Sequence, residues 1–346
     1  MKKQIYNQQS TESHDQARII GGSPDGIINY ERTNHKWATS LYKIMRSYNW
    51  QPGEVDVGQD KIKYPTLTPE HHRMYDLVLA QLISNDSIQT NQLMDSINQY
   101  ITSPVVNACL AEQAAQEALH AQTYSVMAED ICGDTDRIFA MHKYDPELYR
   151  KNQSVSDMYS SLYSGTEPSI TDLLKAFCAN QILEELVFPG GFVAIFSIGH
   201  IMIGSAKEIS LIERDESGAH VPLFKNMFRT ACIENNINLS LKEYEPLVKE
   251  FHDMIHNMVE AEIRWTNYIT KGVLGFSEQS IQIYVEHKGN SVCKNLGIQP
   301  LYKQTDGGPL QKLLEKFSLL KSDIKTNFME SKVVDYDMSG LDMSDL

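Results

Sequence analysis

Apolar residues recur at three- and four-residue steps along several long segments of the chain, the pattern of helices that bury one face. Ser, Thr or Pro begins several of these segments, as at Thr68-Pro69 and Ser103-Pro104, and such residues favour a first helical turn. Signals for strands are sparse. The pattern therefore predicts an all-α fold, an elongated helical bundle around one core. The predicted helices span residues 34–48, 69–100, 104–131, 170–203, 206–234, 241–271 and 278–296.

The most apolar stretch, residues 186–204, is nearly long enough to cross a bilayer. It contains Pro189, two glycines and His200, and its flanks are acidic, so we expect a buried central helix rather than a membrane span. Because Pro189 has no N–H to donate to the carbonyl of Glu185, the helix should be distorted just after Glu184.

Composition narrows the class of protein. The 346 residues include 42% hydrophobic ones, which is enough for a large core. A net charge of -14 argues against a nucleic-acid partner, because phosphate binding needs Lys and Arg. The five cysteines form no CxxC pair and are odd in number, which favours a reducing, cytoplasmic compartment. The polar N-terminus lacks the apolar core of a signal peptide, so no membrane association is expected.

Both ends of the chain differ from the helical region. We expect an N-terminal loop or arm over residues 1–30, a helical domain over 31–325 and a flexible C-terminal tail over 326–346. The Gly-rich stretch 19–30 has neither the flanking strand and helix nor the Lys of a phosphate loop. The last stretch, 333–346, is acidic with scattered apolar residues and is typical of a segment that orders only when it binds a partner.

The window QEALHAQTY, residues 116–124, contains the first candidate chemistry. Glu117, His120 and Tyr124 are spaced three and four residues apart, which puts them on one helix face. A Glu-x-x-His pair facing a bundle core is how di-iron carboxylate proteins bind metal, but alone it is a weak signal, since most such pairs lie on a solvated face. The surrounding alanines favour a buried helix, in which an unpaired Glu would cost several kcal/mol.

Other predicted helices supply further acids. Glu216 and His220 are four residues apart and share a helix face. Asp95 lies on the apolar side of its helix, and Glu184 opens the most apolar helix of the chain. Four helices that each direct an acid inward, two of them with a His, form a far more specific pattern than any one pair. Oxygen and imidazole ligands without thiolate indicate iron or manganese rather than structural zinc.

Residues 37–336 resemble the small subunit of class I ribonucleotide reductase, a family with a ferritin-like fold. The resemblance is carried by the QEALHAQTY window and by other motifs along the chain. They are NWQPGEVDV (49–57), LISNDSIQTNQLMDS (82–96), ILEELVFPGGFVAI (182–195), ERDESGAH (213–220) and KTNFMESKVVDYD (325–337). The resemblance implies ribonucleoside-diphosphate reductase activity, an oxidoreductase reaction that is carried out only together with a large subunit.

The resemblance also implies a dinuclear metal centre in the core, with two iron ions, two manganese ions or one of each. The ligands would be Asp95, Glu117 and His120 at one ion and Glu184, Glu216 and His220 at the other, with Glu117 bridging. This centre would generate a tyrosyl radical on Tyr124. The apolar shield of that radical would be Phe188, Phe192 and Ile212.

The oxidising equivalent is expected to leave the core along a defined route. The resemblance implies that Asp215 and Trp50 link His120 to the surface. Tyr336 would carry the route on toward the large subunit, and the tail ending in Leu346 would be the docking peptide. A homodimer is also expected from the family.

One departure from the family pattern calls for a local distortion. The family spaces its second Glu and His as Glu-x-x-His, whereas three residues separate Glu216 from His220. One extra residue rotates a side chain by about 100° on an ideal helix. We expect a π-bulge at Ser217-Gly218 to absorb this rotation.

Two other functions are compatible with such a bundle. One is an oxidase that uses the same metal site on an organic substrate, and the other is a ferritin-type iron store. Tyr124 paired with Tyr336 argues against the oxidase, which needs no tail tyrosine. The length of the chain and the presence of Trp50 and Asp215 argue against the iron store.

Overall fold

The computed structural model describes residues 2–163 and 167–320. Within these residues the chain folds into thirteen α-helices, and the β contact present is an isolated bridge between Ile20 and Ile101. The prediction of an all-α bundle is therefore confirmed. The helices are α1 (Lys36–Ser47), α2 (Gly58–Lys63), α3 (Pro69–Gln92), α4 (Pro104–Met127), α5 (Thr135–Tyr144), α6 (Pro146–Asp157), α7 (Ile170–Ile182), α8 (Phe188–Ser197), α9 (Ile203–Asp215), α10 (Val221–Glu234), α11 (Glu245–Ile269), α12 (Glu278–Leu296) and α13 (Gly308–Phe317).

Capping residues fix the ends of several helices. The Thr68 hydroxyl accepts a hydrogen bond from the backbone N–H of His71 and starts α3. Ser169 and Asp172 form a reciprocal capping box at the start of α7. Gly297, with φ of 76°, ends α12 in the left-handed conformation that glycine adopts at low cost. The bounds of α12 match the predicted helix at both ends.

Several of the long helices end in, or are joined by, a π-helical turn. The turns are Leu93–Ile97 after α3, Ala128–Cys132 after α4, Leu183–Val187 between α7 and α8, and Glu216–His220 between α9 and α10. The last turn confirms the bulge expected at Ser217-Gly218. The turn Leu183–Val187 confirms the distortion expected at Glu184, since Pro189 lies in the first turn of the helix that follows it.

The long helices pack around one apolar core. α3 lies against α4 and α8, α10 lies against α7, and α4 contacts α9. The π-helical turns Leu183–Val187 and Glu216–His220 contact each other. α11 and α12 pack on α7, and α13 packs on α8 and α12. As a result, acidic residues of the central helices meet inside the core rather than at the surface.

The helix predicted over residues 170–203 ends earlier than expected: α7, a π-helical turn and α8 follow one another as far as Ser197, and the turn 198–202 separates α8 from α9. The reason is a capping carboxylate that comes from α2. The two oxygens of buried Asp60 accept hydrogen bonds from the backbone N–H groups of Gly204, at 3.0 Å, and Ser205, at 2.6 Å. A carboxylate at this place stabilises a new helix N-terminus, which ends the preceding helix.

Helix α8 is buried along nearly its whole length, as expected of the central helix. In the described part of the chain, no helix is both long enough and apolar enough to cross a membrane. The sequence pattern missed the shorter helices α2, α5, α6 and α13. The reason is visible in α5, where Ile138 is the one fully buried side chain and no wide apolar stripe exists.

The N-terminal arm lies on the bundle. Arg18 donates a hydrogen bond of 2.8 Å to the backbone oxygen of Glu234 at the end of α10. The buried His35 ring lies 2.8 Å from the Ser103 hydroxyl, at the start of α4, and 2.7 Å from the Glu234 carboxylate. The proposed boundaries at residues 30 and 325 stay predictions, and the tail with Tyr336 lies outside the described residues.

Replacing Asp60 should destabilise the fold. We expect Asp60→Ala to lower the free energy of unfolding by about 2 kcal/mol, because it removes a buried helix cap. The measurement is urea unfolding followed by circular dichroism. The matched control is Asp56→Ala: this exposed carboxylate accepts a 2.8 Å bond from Gly58 N–H, and its loss should cost less than about 0.5 kcal/mol. Equal losses in the two variants would contradict the capping role.

Candidate metal centre

Six buried side chains meet between the central helices, and we call them the ligand cluster. They form two overlapping groups, and within each group one ligand atom from every residue lies within 4.8 Å of the others. One group is Glu117, Glu184, Glu216 and His220, and the other is Asp86, Glu117 and His120. None of the six exposes more than 1% of its surface. The shared Glu117 makes the two groups neighbours.

The central helices and their π-helical turns position these side chains. α3 carries Asp86, and α4 carries Glu117 and His120 one turn apart. The π-helical turn Leu183–Val187 carries Glu184, and the turn Glu216–His220 carries one cluster residue at each end. A π-helical turn holds more residues than an α-helical one. In it, a Glu and a His that are four residues apart point in nearly the same relative directions as the Glu and His of a Glu-x-x-His pair on an α-helix. The extra residue is therefore compatible with two inward-facing ligands.

Two carboxylates each reach both imidazoles. The Nδ1 atom of His220 lies 2.7 Å from Glu216 Oε2 and 3.2 Å from Glu117 Oε1. The Nδ1 atom of His120 lies 3.1 Å from Glu216 Oε1 and 3.6 Å from Glu117 Oε2. Each of the two glutamates therefore offers one oxygen to each half of the cluster, which is the arrangement of a bridging carboxylate.

The electrostatics of the ligand cluster are those of a site that lacks positive charge. Burial raises the pKa of Asp86 and of Glu184 well above the usual carboxyl range, and repulsion from neighbouring carboxylates adds to it. Burial acts in the same direction on Glu216, but attraction to His220 together with hydrogen bonds to Glu184, His120 and His220 outweighs it and lowers the pKa of that carboxyl. Burial opposes charge on His120 and His220, yet hydrogen bonds and attraction to carboxylates raise the pKa of both imidazoles. Bound cations would relieve the excess of acids.

Several buried carboxylate oxygens of the cluster lack a hydrogen-bond partner, and this bears on whether metal ions fit the site. Both carboxylate oxygens of Asp86, Oε2 of Glu117 and Oε2 of Glu184 are buried and have no hydrogen-bond partner among the described residues. A buried, unpaired carboxylate oxygen costs several kcal/mol, so these atoms need a partner that the polypeptide does not supply. Carboxylate oxygens together with imidazole nitrogens form a ligand set suited to iron or manganese. The residues therefore fit a pair of metal ions.

The structure corrects one predicted ligand, because Asp95 is not part of the cluster. Its side chain is exposed, in the π-helical turn Leu93–Ile97, and the acid that α3 directs inward is Asp86. The apolar neighbours of Asp95 misled the prediction, since Met94 beside it is itself 53% exposed. Helical periodicity could have identified Asp86 as the inward acid, because Asp86 follows the buried Leu82 by four residues and so lies on the same helix face.

Tyr124 lies beside the cluster in a dry environment. Its side chain is fully buried, and its hydroxyl has no hydrogen-bond partner among the described residues. Burial raises the pKa of Tyr124 well above its usual value, and the negative charge of Asp86 adds to the effect. The phenol is therefore held neutral. The predicted shield residues are buried in the same core, and they are Phe188, Phe192 and Ile212.

The structure brings together the first part of the expected route. The Trp50 indole N–H donates a 2.7 Å hydrogen bond to Asp215 Oδ2. The same oxygen lies 3.3 Å from His120 Nε2, and the rings of Trp50 and His120 stack with centroids 6.1 Å apart. All three side chains are fully buried. A continuous hydrogen-bonded chain thus leads from the cluster to Trp50.

Three glutamines contact the cluster, and the sequence analysis missed them. The side-chain amides of Gln89 and Gln113 both donate to Oε1 of Glu184, at 2.8 and 2.9 Å. His220 Nε2 donates to Oε1 of Gln116 at 3.0 Å. The two amide bonds fix Oε1 of Glu184, whereas its Oε2 accepts no hydrogen bond within the described residues and lies 3.7 Å from His220 Nδ1. The available signal was spacing, since Gln113 precedes Glu117 by four residues on the inner face of α4.

Comparison with known proteins gives the family. The model of the family described as "Ribonucleotide reductase, small chain" matches residues 27–309. This chain belongs to that family. The ribonucleoside-diphosphate reductase subunit beta of Treponema pallidum (strain Nichols) is 31% identical over 350 residues, which cover 100% of this chain and 97% of that protein.

Two solved structures are similar over nearly their whole length. The ribonucleotide reductase R2 subunit from Clostridium botulinum has a TM-score of 0.84 and 28% identity, and the match covers 92% of this chain and 98% of that one. A putative class I ribonucleotide reductase from Bacillus halodurans has a TM-score of 0.79 and 25% identity, covering 90% and 98% of the two chains. The bundle thus has the ferritin-like fold of these small subunits.

Family membership sets the reaction class. The chain is a subunit of ribonucleoside-diphosphate reductase, an oxidoreductase in which the small subunit works with a large subunit, and the family implies dimer formation. The ligand cluster has the composition of a dinuclear metal site of this family.

Metal content should depend on Asp86 and not on Asp95. We expect Asp86→Ala to lose at least one of two bound ions per chain, because it removes a ligand from the second group of the cluster. The measurement is elemental analysis after anaerobic loading with ferrous iron or manganese and desalting. Asp95→Ala is the matched control from the same helical segment and should bind as the unaltered chain does. Loss of metal in Asp95→Ala alone would contradict the assignment.

Proposed function

We propose that this chain is the radical-generating subunit of the reductase. With a pair of metal ions bound, Tyr124 is oxidised to a tyrosyl radical, and the oxidising equivalent passes to the large subunit for the reduction of ribonucleotides to deoxyribonucleotides. The single observation that carries the proposal is a buried, unpaired phenol beside two overlapping groups of metal-type ligands. The residues proposed to hold the ions are Asp86, Glu117, His120, Glu184, Glu216 and His220.

The ions would be two iron, two manganese or one of each, since all three combinations accept oxygen and imidazole ligands. When bound, such a pair would supply the one-electron oxidising power that a phenol requires. The polypeptide contributes the geometry. Glu117 and Glu216 hold the two halves together, while Gln89 and Gln113 orient Glu184.

The surroundings of Tyr124 support a radical that persists. A phenoxyl radical survives only where water and reductants are kept away. Tyr124 is fully buried, and so are Phe188, Phe192 and Ile212, with the two phenylalanine rings stacked at a centroid distance of 6.2 Å. Because its pKa is raised, the phenol keeps its proton until an electron is removed.

The same proposal gives Trp50, Asp215 and Tyr336 roles in transfer. Asp215 accepts a hydrogen bond from the Trp50 indole N–H and contacts His120. The three side chains thus form the first part of a path from the ligand cluster toward the surface. Tyr336 carries the oxidising equivalent from there to the large subunit, and the tail that ends in Leu346 docks on that subunit.

We further propose that the protein works in the cytoplasm as a homodimer. All five cysteines lie in the described part of the chain, and all five are free thiols. Free thiols are typical of proteins kept in a reducing compartment.

The burial of the site disfavours the alternative of an oxidase that acts on an organic substrate. Such an enzyme needs an opening through which the substrate reaches the metal ions. None of the cluster residues exposes more than 1% of its surface, and Tyr124 exposes none. An electron leaves such a core more readily than a substrate enters it.

The radical should depend on Tyr124. After addition of metal and air, electron paramagnetic resonance at low temperature should show a tyrosyl signal, and Tyr124→Phe should remove it because phenylalanine has no phenol to oxidise. Tyr75→Phe is the control: Tyr75 is equally buried on α3, but it precedes Asp86 by eleven residues, about 16 Å along the helix. A signal that persists in Tyr124→Phe would place the radical elsewhere.

Transfer should be separable from radical formation. Tyr336→Phe should keep the tyrosyl signal, yet lower deoxynucleotide formation with the large subunit at least about 100-fold, or roughly 2.7 kcal/mol of barrier. The measurement is product formation from a ribonucleoside diphosphate at saturating large subunit. Unchanged turnover would remove Tyr336 from the route.

A further inference from the structure

Both oxygens of the Asp215 carboxylate accept hydrogen bonds. Its Oδ2 atom accepts the bond from Trp50. Its Oδ1 atom accepts bonds from Arg214, at 3.2 Å from Nε and 2.9 Å from a terminal guanidinium nitrogen. Asp215 therefore ties the buried indole to a cation that is closer to the surface.

Arg214 in turn covers a second aromatic ring. Its guanidinium carbon lies 4.5 Å from the centroid of the Tyr48 ring, within the range of a cation–π contact. The guanidinium also donates a 3.0 Å hydrogen bond to the Tyr48 backbone oxygen. Tyr48 precedes Trp50 by two residues and is half-buried, whereas Trp50 is fully buried. A half-buried, oxidisable side chain is thus connected to Trp50 through Arg214 and Asp215.

The Tyr48 hydroxyl lies close to Leu320, near the end of the described chain. A Cβ atom added to Gly218 would lie 2.7 Å from the Tyr48 hydroxyl oxygen and 3.2 Å from a methyl carbon of Leu320. Both side chains therefore pack on the same glycine of the π-helical turn. Leu320 is the last described residue, and Tyr336 follows it by sixteen positions, which span at most about 55 Å when extended. The described part of the chain thus ends close to the Tyr48 hydroxyl.

We infer that Tyr48 is a redox-active residue on the transfer route, between Trp50 and Tyr336. The inference rests on the proposed function. Oxidised Trp50 takes one electron from Tyr48, and the phenolic proton of Tyr48 passes to water, which leaves a neutral tyrosyl radical. Tyr336 then gives one electron to Tyr48, whose proton is returned by water, while the phenolic proton of Tyr336 passes to water and leaves a neutral radical on Tyr336. The original oxidant is the Tyr124 radical.

Arg214 couples the loss of an electron from Tyr48 to the loss of its proton. A positive charge held over the ring disfavours a second positive charge on it, so electron loss from Tyr48 must be accompanied by loss of its proton. Burial raises the pKa of Tyr48 above its usual value, although Arg214 opposes the shift, so the phenol starts neutral. Because the side chain is only half-buried, water is available as the proton acceptor.

If Tyr48 had only a structural role, Tyr48→Phe would keep full turnover. The ring packs under Arg214 at the C-terminal end of α1, and phenylalanine would preserve that contact. Tyr48→Phe is therefore expected to form the Tyr124 radical normally and to lose turnover by about tenfold or more. The matched control is Tyr42→Phe on the same helix, where the ring stacks on Tyr30 and has no part in the route.

A trapping experiment reads the radical itself rather than activity. Tyr48 is replaced by 3-aminotyrosine, which is more easily oxidised than tyrosine, and the loaded subunit is mixed with large subunit and a ribonucleoside diphosphate. Electron paramagnetic resonance should show loss of the Tyr124 signal and growth of an aminotyrosyl signal. Adding Tyr336→Phe should leave that signal intact, and adding Trp50→Phe should remove it.

The possible outcomes separate the two proposals. If 3-aminotyrosine at position 48 stays silent while the same residue at position 336 gives a signal, the route bypasses Tyr48 and the inference is overturned. Full turnover of Tyr48→Phe would overturn it as well. If the unaltered chain forms no Tyr124 radical with any metal, the proposed function fails first, and the inference fails with it.

Discussion

The structure depends on one constraint: four carboxylates and two imidazoles share a small volume inside an apolar core. Burying such groups costs several kcal/mol for each unpaired charge, and oxygens of Asp86, Glu117 and Glu184 have no partner within the described residues. Rigid packing of long helices keeps these groups together despite their repulsion. Divalent cations would remove most of that cost, so metal binding and stability are expected to be linked here.

The π-helical turns make this convergence possible. An α-helix presents a narrow inward stripe, and a Glu and a His four residues apart do not have the direction of a Glu-x-x-His pair on it. The turn Glu216–His220 widens the helix locally and restores that direction, and the turn Leu183–Val187 likewise widens the helix at Glu184. The two turns contact each other, so the distortions occur where the ligands meet.

Spacing, apolar pattern and family resemblance together could predict the bundle and most of the ligand cluster, because both follow from helix phase. Asp95 was chosen over Asp86 because of its apolar neighbours Leu93, Met94 and Ile97, but these residues lie in the π-helical turn Leu93–Ile97, where Asp95 is exposed. Single-turn changes of this kind depend on tertiary packing. The contacts of Gln89 and Gln113 with Glu184 were equally out of reach, since they join residues 95 and 71 positions apart.

The extra residue of the Glu216–His220 turn has consequences on both of its sides. Toward the core it directs His220 at Glu117 and Glu216 at His120. Away from the core it presents Gly218, whose missing side chain leaves room for the Tyr48 hydroxyl and for Leu320. A bulkier residue there would push both away from the helix that carries Asp215. The same local distortion therefore brings the metal ligands, the Trp50 contact of Asp215 and the contacts of Gly218 with Tyr48 and Leu320 within one short segment, and this proximity is what a transfer route out of a sealed core requires.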